Sequence, residues 1–201
     1  MMTTHMKPGG IVVAGGRSRR LGTDKRRLQL WGDAGPTLLA HAVALLAPHC
    51  AEVIVVLNDA EAWDDLPARL VPDAYPAAGA LGGVLTGLEA LQQPHALVIA
   101  ADAPLLRPAL LTALAMHTPT TALAVQRAGR WEPFCAIYSR RCITLLRTQC
   151  TVGDLRLQHA LDALQAQALD PALVMACDPH DLSFHNINHP ADLAMVQQLL
   201  N

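Results

Sequence analysis

The chain has 201 residues, a length that suggests one domain built round a substantial core. Hydrophobic residues make up 52% of it, which excludes intrinsic disorder, and aromatics only 3%, so the core is expected to be aliphatic. A formal net charge of -2 excludes an overall basic field for nucleic acid.

The stretch from Met1 to Gly10 has no apolar signal-peptide core behind a basic start, and residues 1–9 are expected to be a flexible N-terminus. Ile11-Val12-Val13-Ala14 stops at Gly15-Gly16 and predicts a buried strand, far too short to span a membrane. Segment 38–46, after Pro36-Thr37, predicts a helix. Val53 to Leu57 is the clearest strand, and Arg69 to Val71 a shorter one closed by Pro72-Asp73. Gly82-Gly83 read as the start of a helix running to about Leu91. Ala96 to Ala101 is another apolar strand, stopped by Asp102-Ala103-Pro104, and Pro108 starts a helix to about His117. Ala122 to Gln126 and Phe134 to Tyr138 predict a strand pair. Helices over about 140–149 and 154–165 follow, then a last strand at Leu173 to Ala176 and a helix from Pro190.

Apolar strands alternating with helices predict an α/β fold: a Rossmann-like three-layer sandwich with a mostly parallel sheet, as a single domain over 1–201. Ligands in such folds sit at the carboxyl ends of the strands. Gly15-Gly16, Asp73 and Asp102 all fall at such ends. The five cysteines (Cys50, Cys135, Cys142, Cys150 and Cys177) form no C-x-x-C pair, so reduced thiols in a cytoplasmic protein are expected, mostly as small core residues.

The strongest local signal runs from Val13 to Lys25. Tandem glycines let the backbone approach a ligand and turn several N–H groups toward phosphate oxygens. Arg19, Arg20 and Lys25 can neutralise those phosphates, and Lys25 can steady charge on a leaving group. Neither a Walker A loop nor Gly-x-Gly-x-x-Gly occurs here. From Arg17 to Arg27 there are six basic residues and one acid, Asp24. A solvated basic loop is the plain alternative, but placement after a buried strand and two glycines favours phosphate binding. Arg27 reads as a solvated surface group outside the motif. Asp102, at a strand's end, suits a hard ligand for Mg²⁺, against the alternative of a turn aspartate before Pro104. Asp73 and Asn58 have turn or capping roles as their alternatives, and so does Asn188 before the Pro190 helix.

The loop from Val13 to Lys25 resembles the L-A-G-G-x-S-x-R-M-G-x-D-K signature of sugar-phosphate-type nucleotidyltransferases, and more narrowly the molybdenum cofactor guanylyltransferase family. Val13 stands for Leu and Leu21 for Met. Ala101-Asp102-Ala103-Pro104-Leu105-Leu106 is similar to that family's C-D-x-P-x-L. Gly79 to Leu88 is similar to G-P-L-A-G-I-L-x-G-L, with Ala80 for Pro. Phe184 to Leu193 is similar to F-x-N-I-N-T-P-E-D-L; His189 and Ala191 depart from Thr and Glu, so no capping box is expected there. Glu132-Pro133-Phe134 is similar to the x-x-P-L segment beside the acceptor site.

The resemblance implies transfer of GMP from GTP to molybdopterin, with pyrophosphate released. It implies Lys25, Arg20 and Asp102 as catalytic groups and Asp102 as the Mg²⁺ ligand. It implies a substrate site formed by Val13, Ala14, Gly15, Gly16, Lys25, Asn58, Asp73, Gly83, Asp102, Asn186 and Asn188. GTP and molybdopterin are the expected partners, with transient contact to molybdoenzymes or cofactor-delivery proteins, and no nucleic acid or membrane. Three alternatives stand beside it: a CTP-dependent enzyme on the same cofactor, a non-catalytic cofactor-delivery protein on this fold, and a nucleic-acid binder. The last lacks the aromatic platforms of single-strand readers.

Overall fold

The computed structural model describes residues 6–15, 23–32, 34–63 and 65–200. Within them β1 (Gly9–Val13), β2 (Val53–Leu57), β3 (Arg69–Pro72), β4 (His95–Ala100), β5 (Ala122–Arg127), β6 (Arg130–Ser139) and β7 (Gln167–Ala168) form one sheet. Its order is β3-β2-β1-β4-β6-β5-β7. Neighbours are parallel except where β6 runs against β4 and β5. The helices are α1 (Leu38–Leu46), α2 (Gly79–Ala90), α3 (Pro108–Ala115), α4 (Ile143–Val152), α5 (Leu157–Ala163), α6 (Pro171–Cys177) and α7 (Pro190–Leu200).

The central strands are apolar at nearly every position because helices cover both faces. Val12, Val55, Leu97 and Ile99 point into one core with Leu39, Val43 and Leu46 of α1 and Leu110, Leu111 and Leu114 of α3. Their neighbours Ile11, Ile54, Val56 and Val98 point the other way, into a core shared with α2, α4 and α5. The strand period of two therefore supplies both layers of the sandwich. A third, smaller cluster joins Leu38, Ile187 and Val196, so α7 and the segment before it are moored to the start of α1. Among the described residues no helix is long and apolar enough to cross a membrane.

The structure corrects two expectations. Leu173 to Ala176 is not a strand but lies in α6, whose Asp170 carboxylate caps the Ala172 N–H at 2.9 Å ahead of Pro171. The helix expected to open at Gly82-Gly83 starts instead at Gly79, which turns the chain with φ +56°, a backbone region that favours glycine. Residues 7–9 are bonded into the fold: the Lys7 ammonium donates to the Pro48 carbonyl at 2.9 Å. The Pro8 carbonyl accepts from the Ala51 N–H at 2.8 Å, and Gly9 already belongs to β1; residues 1–5 lie outside the described residues.

Candidate functional site

β1 sits between β2 and β4, and the carboxyl ends of β1, β2, β3 and β4 emerge on one side of the sheet. The chain leaves β1 toward β2, and β4 later fills β1's other flank, so a crevice opens above β1. A cavity of about 380 Å³ occupies it. Its walls bring together Val13, Ala14, Gly15, Lys25, Asn58, Asp73, Asp102, Asn186 and Asn188 from six separate places in the chain. Gly16 and Arg20, with Arg19, lie outside the described residues.

Lys25 is the hub. It begins a single 3-10 turn, Lys25–Arg27, capped by the Asp24 carboxylate, which accepts from the Arg26 N–H. The Lys25 ammonium donates to Asp102 Oδ2 at 2.6 Å, to the Ile187 carbonyl at 3.0 Å and to Asn188 Oδ1 at 3.1 Å. The Ile187 N–H donates in turn to the Asp102 carbonyl at 2.9 Å. Ile187 is fully buried in the small cluster under α7, whereas Asn186 and Asn188 on either side of it line the cavity. One buried apolar residue thus orients two exposed amides. Among the described residues no backbone N–H donates to the Asn188 side chain; Asp192 Oδ2 accepts from the Asn188 and His189 N–H groups at 2.9 and 2.7 Å. Contrary to expectation, one half of a capping box survives here, with Asp192 in the role of the third helical residue. These bonds hold the Asp192 carboxyl below the usual range.

Asp73 closes the opposite wall. Its Oδ1 accepts from the Tyr75 N–H at 2.9 Å and from the Thr86 hydroxyl at 3.0 Å, while its N–H donates to Asn58 Oδ1 at 3.1 Å. Its other oxygen, Oδ2, faces Gly15, where an added Cβ would lie 3.8 Å away. Asp73 keeps its turn role through the Tyr75 N–H, Asn58 instead ties the end of β2 to Asp73, and both side chains line the cavity. Thr86, buried on α2, was not singled out by any motif; only the fold reveals that it anchors Asp73.

Gly83 is a correction. It lies inside α2, buried, and a Cβ there would come within 2.7 Å of Val13 Cγ1. Its missing side chain lets α2 pack on β1, and Gly79 and Ala80 line the cavity instead. Arg27 is an exposed surface group, as expected, and lies outside the cavity wall; its guanidinium stacks over Trp63 at 4.5 Å and donates to the Ala62 carbonyl at 3.2 Å. Phe134, from the segment similar to x-x-P-L, joins the cavity wall beyond β4.

The sequence pattern of the MobA-like NTP transferase domain matches residues 10–164. A probable molybdenum cofactor guanylyltransferase of Chloroflexus aggregans is 51% identical over 99% of this chain and 98% of its own length. A molybdenum cofactor guanylyltransferase of Pseudomonas entomophila is 31% identical, covering 90% of this chain and 93% of its own. Among solved structures, a molybdopterin-guanine dinucleotide biosynthesis protein A from Archaeoglobus fulgidus superposes with a TM-score of 0.81 at 23% identity, covering 96% of this chain and 98% of that one. A 2-C-methyl-D-erythritol 4-phosphate cytidylyltransferase from Thermus thermophilus gives 0.68 at 20%, covering 96% and 98%, and shares the fold. With its motifs gathered at one crevice and relatives matching along nearly its whole length, the chain belongs to the MobA-like NTP transferase family, among the molybdenum cofactor guanylyltransferases.

Proposed function

We propose that the chain transfers GMP from GTP to molybdopterin, forming molybdopterin guanine dinucleotide and pyrophosphate. An oxygen of the acceptor's terminal phosphate bonds to the α-phosphorus of GTP. The bond from that phosphorus to the bridging β-phosphate oxygen breaks, and its electrons leave with pyrophosphate. A phosphate monoester is largely ionised near neutral pH, so the acceptor needs neither a protein nucleophile nor a strong base. Positioning and charge neutralisation carry the catalysis.

The observation that supports this reading best is the Lys25 ammonium, held by Asp102, the Ile187 carbonyl and Asn188 at the ends of β1 and β4. A cation fixed by three acceptors is preorganised, so it offsets charge gathering on the departing pyrophosphate without having to reorient. Gly15 leaves room for the nucleotide to lie against the backbone, with Asp73 opposite. Asn186 and Asn188 face the acceptor. Arg20 is assigned to the triphosphate by resemblance.

Asp102 Oδ1 is buried and has no hydrogen-bond partner among the described residues. A buried carboxylate oxygen left this way fits a Mg²⁺ ligand, since Mg²⁺ commonly takes one or two carboxylates together with substrate phosphates. When bound, Mg²⁺ supplies charge stabilisation to the phosphate oxygens.

The test is pyrophosphate release that requires GTP and molybdopterin together, measured on the wild type, Lys25→Ala and Arg27→Ala. Lys25→Ala should lower kcat roughly a hundredfold or more, the scale of one lost electrostatic contact at a transition state. Arg27→Ala should leave turnover near the wild-type value. The opposite ranking would remove Lys25 from the reaction.

A further inference from the structure

Arg26 lines the cavity beside Lys25, where an arginine would ordinarily be taken for a phosphate ligand. Its hydrogen bonds say otherwise. A guanidinium has five N–H donors in a planar fork. Here Nε donates to Asp24 Oδ1 at 2.8 Å. Nη1 donates to Asp59 Oδ1 at 2.7 Å and to the Ala14 carbonyl at 3.3 Å. Nη2 donates to Asp24 Oδ2 at 2.7 Å and to Asp59 Oδ2 at 2.6 Å. All five donors are matched within the protein; Lys25 likewise donates to three acceptors, but only one of them is a carboxylate, whereas Arg26 is clamped between two. Two carboxylates outweigh the one positive charge, so the local balance is negative. The side chain is 13% exposed, and its guanidinium lies over the Trp63 ring at 5.4 Å.

The acceptors come from three places. Ala14 follows β1, Asp59 follows Asn58 at the end of β2, and Asp24 caps the turn that carries Lys25. We infer that Arg26 is a positioning residue, a latch that ties the ends of β1 and β2 to the Lys25 turn and so fixes the Lys25 ammonium at the transferring phosphate. Lys25 and Arg26 are adjacent, yet divide the work: one meets substrate, the other holds the first in place. Fork-to-carboxylate pairing gives directional rigidity that a lysine ammonium cannot supply. Asp24 and Asp59 both have carboxyls held below the usual range, chiefly by their hydrogen bonds to Arg26, so both are anionic and engaged at neutral pH.

The inference rests on the proposed transfer reaction, and the experiment separates the two: if the wild type does not turn over GTP with molybdopterin, the reaction is wrong, whereas the variants judge only the latch. Arg26→Gln, Asp59→Asn and Lys25→Ala, alone and combined, are measured for kcat, for Mg-GTP affinity by calorimetry, and for folding by circular dichroism. A latch predicts that Arg26→Gln and Asp59→Asn each lower kcat at least tenfold while GTP affinity stays within about threefold. It also predicts that Arg26→Gln costs little further once Lys25 is alanine, because it acts through Lys25. Arg26→Lys should recover only part of the loss. Asp59 is 39% exposed, so Asp59→Asn should fold even if Arg26→Gln does not. A phosphate-binding Arg26 predicts the reverse sign: Asp59→Asn would free the guanidinium and tighten GTP binding, and Arg26→Gln would weaken it with kcat preserved. That pattern, or additive losses with Lys25→Ala, overturns the latch.

Discussion

Gly83 and Gly87 sit on one face of α2 against β1, and replacing each with alanine should give different results. At Gly87 the new Cβ would meet Ile11 Cγ2, Cδ1 and Cγ1 at 2.6, 2.8 and 3.0 Å. Ile11 is fully buried on the central strand and stiff at χ1, so it cannot swing aside. Overpacking of this kind costs about 1–3 kcal/mol, against which alanine recovers up to about 1 kcal/mol of helix propensity. With the full recovery the net is a loss of up to about 2 kcal/mol, or as much as roughly 8 °C in Tm for a chain of this size. At Gly83 only one atom, Val13 Cγ1, lies closer than 3.0 Å, and Val13 is half-buried on the cavity wall rather than enclosed like Ile11. An off-rotamer shift costs about 0.5–1.5 kcal/mol, close to what the helix regains, so stability should change by less than about 1 kcal/mol. Val13 also lines the cavity, so Gly83→Ala should raise KM for GTP while Gly87→Ala leaves it alone. Thermal unfolding by circular dichroism and initial rates against GTP concentration are the assays. If Gly87→Ala stabilises the protein, or if the two variants are equally tolerated, the packing of α2 on β1 is wrong.

Asp102→Asn should fold normally yet lose most Mg²⁺-dependent turnover, because it keeps the shape and removes the charge; near-wild-type pyrophosphate release would exclude Asp102 as the principal metal ligand. Burial pushes the Cys50 and Cys142 thiols up to about 12 and raises Cys135 further, so a thiol reagent at pH 8 should modify Cys150 and Cys177 first and the other three only after denaturation. Fast modification of all five in the native state would contradict the two cores. The Asp24 and Asp59 carboxyls have folded pKa values below their unfolded ones, so the stability they lend is present above about pH 4 and is lost as pH falls through the lowered folded values. The Tm gap between wild type and Asp59→Asn should therefore shrink from pH 6 to pH 3; a gap that widens toward acid would contradict the pairing with Arg26.

Much of this architecture was legible in the sequence because β-branched apolar runs ending in Gly or Asp mark buried parallel strands and their functional ends. The boundaries of α1 and β2 follow directly from Thr37 and from the unbroken Val53 to Leu57 run. Leu173 to Ala176 misled because four apolar residues carry no periodicity, although Asp170-Pro171 before them is a helix-start signal that outweighs the run. Gly82-Gly83 misled in a different way. Paired glycines suggest a turn, but here they answer to close packing inside a helix, Gly83 against the Val13 side chain and Gly82 against the Tyr75 carbonyl. In the site, Lys25, Asp102, Asn186 and Asn188 were readable as motif positions. Their mutual contact was not, since Lys25 and Asn188 are 163 residues apart in the chain. Arg26 was invisible for a related reason. Within a basic run every cation looks alike, and what distinguishes this one is Asp59, 33 residues away, which only the folding of β2 beside β1 brings near.

Nucleotide choice tests the central claim most directly. The measurement is formation of molybdopterin dinucleotide from molybdopterin and Mg²⁺ with GTP, CTP, ATP or UTP in parallel, the product identified by mass. The account predicts the guanine dinucleotide, with Mg-GTP preferred over Mg-CTP by at least about tenfold, about 1.4 kcal/mol. Equal use of the two nucleotides, or a preference for CTP, would contradict it.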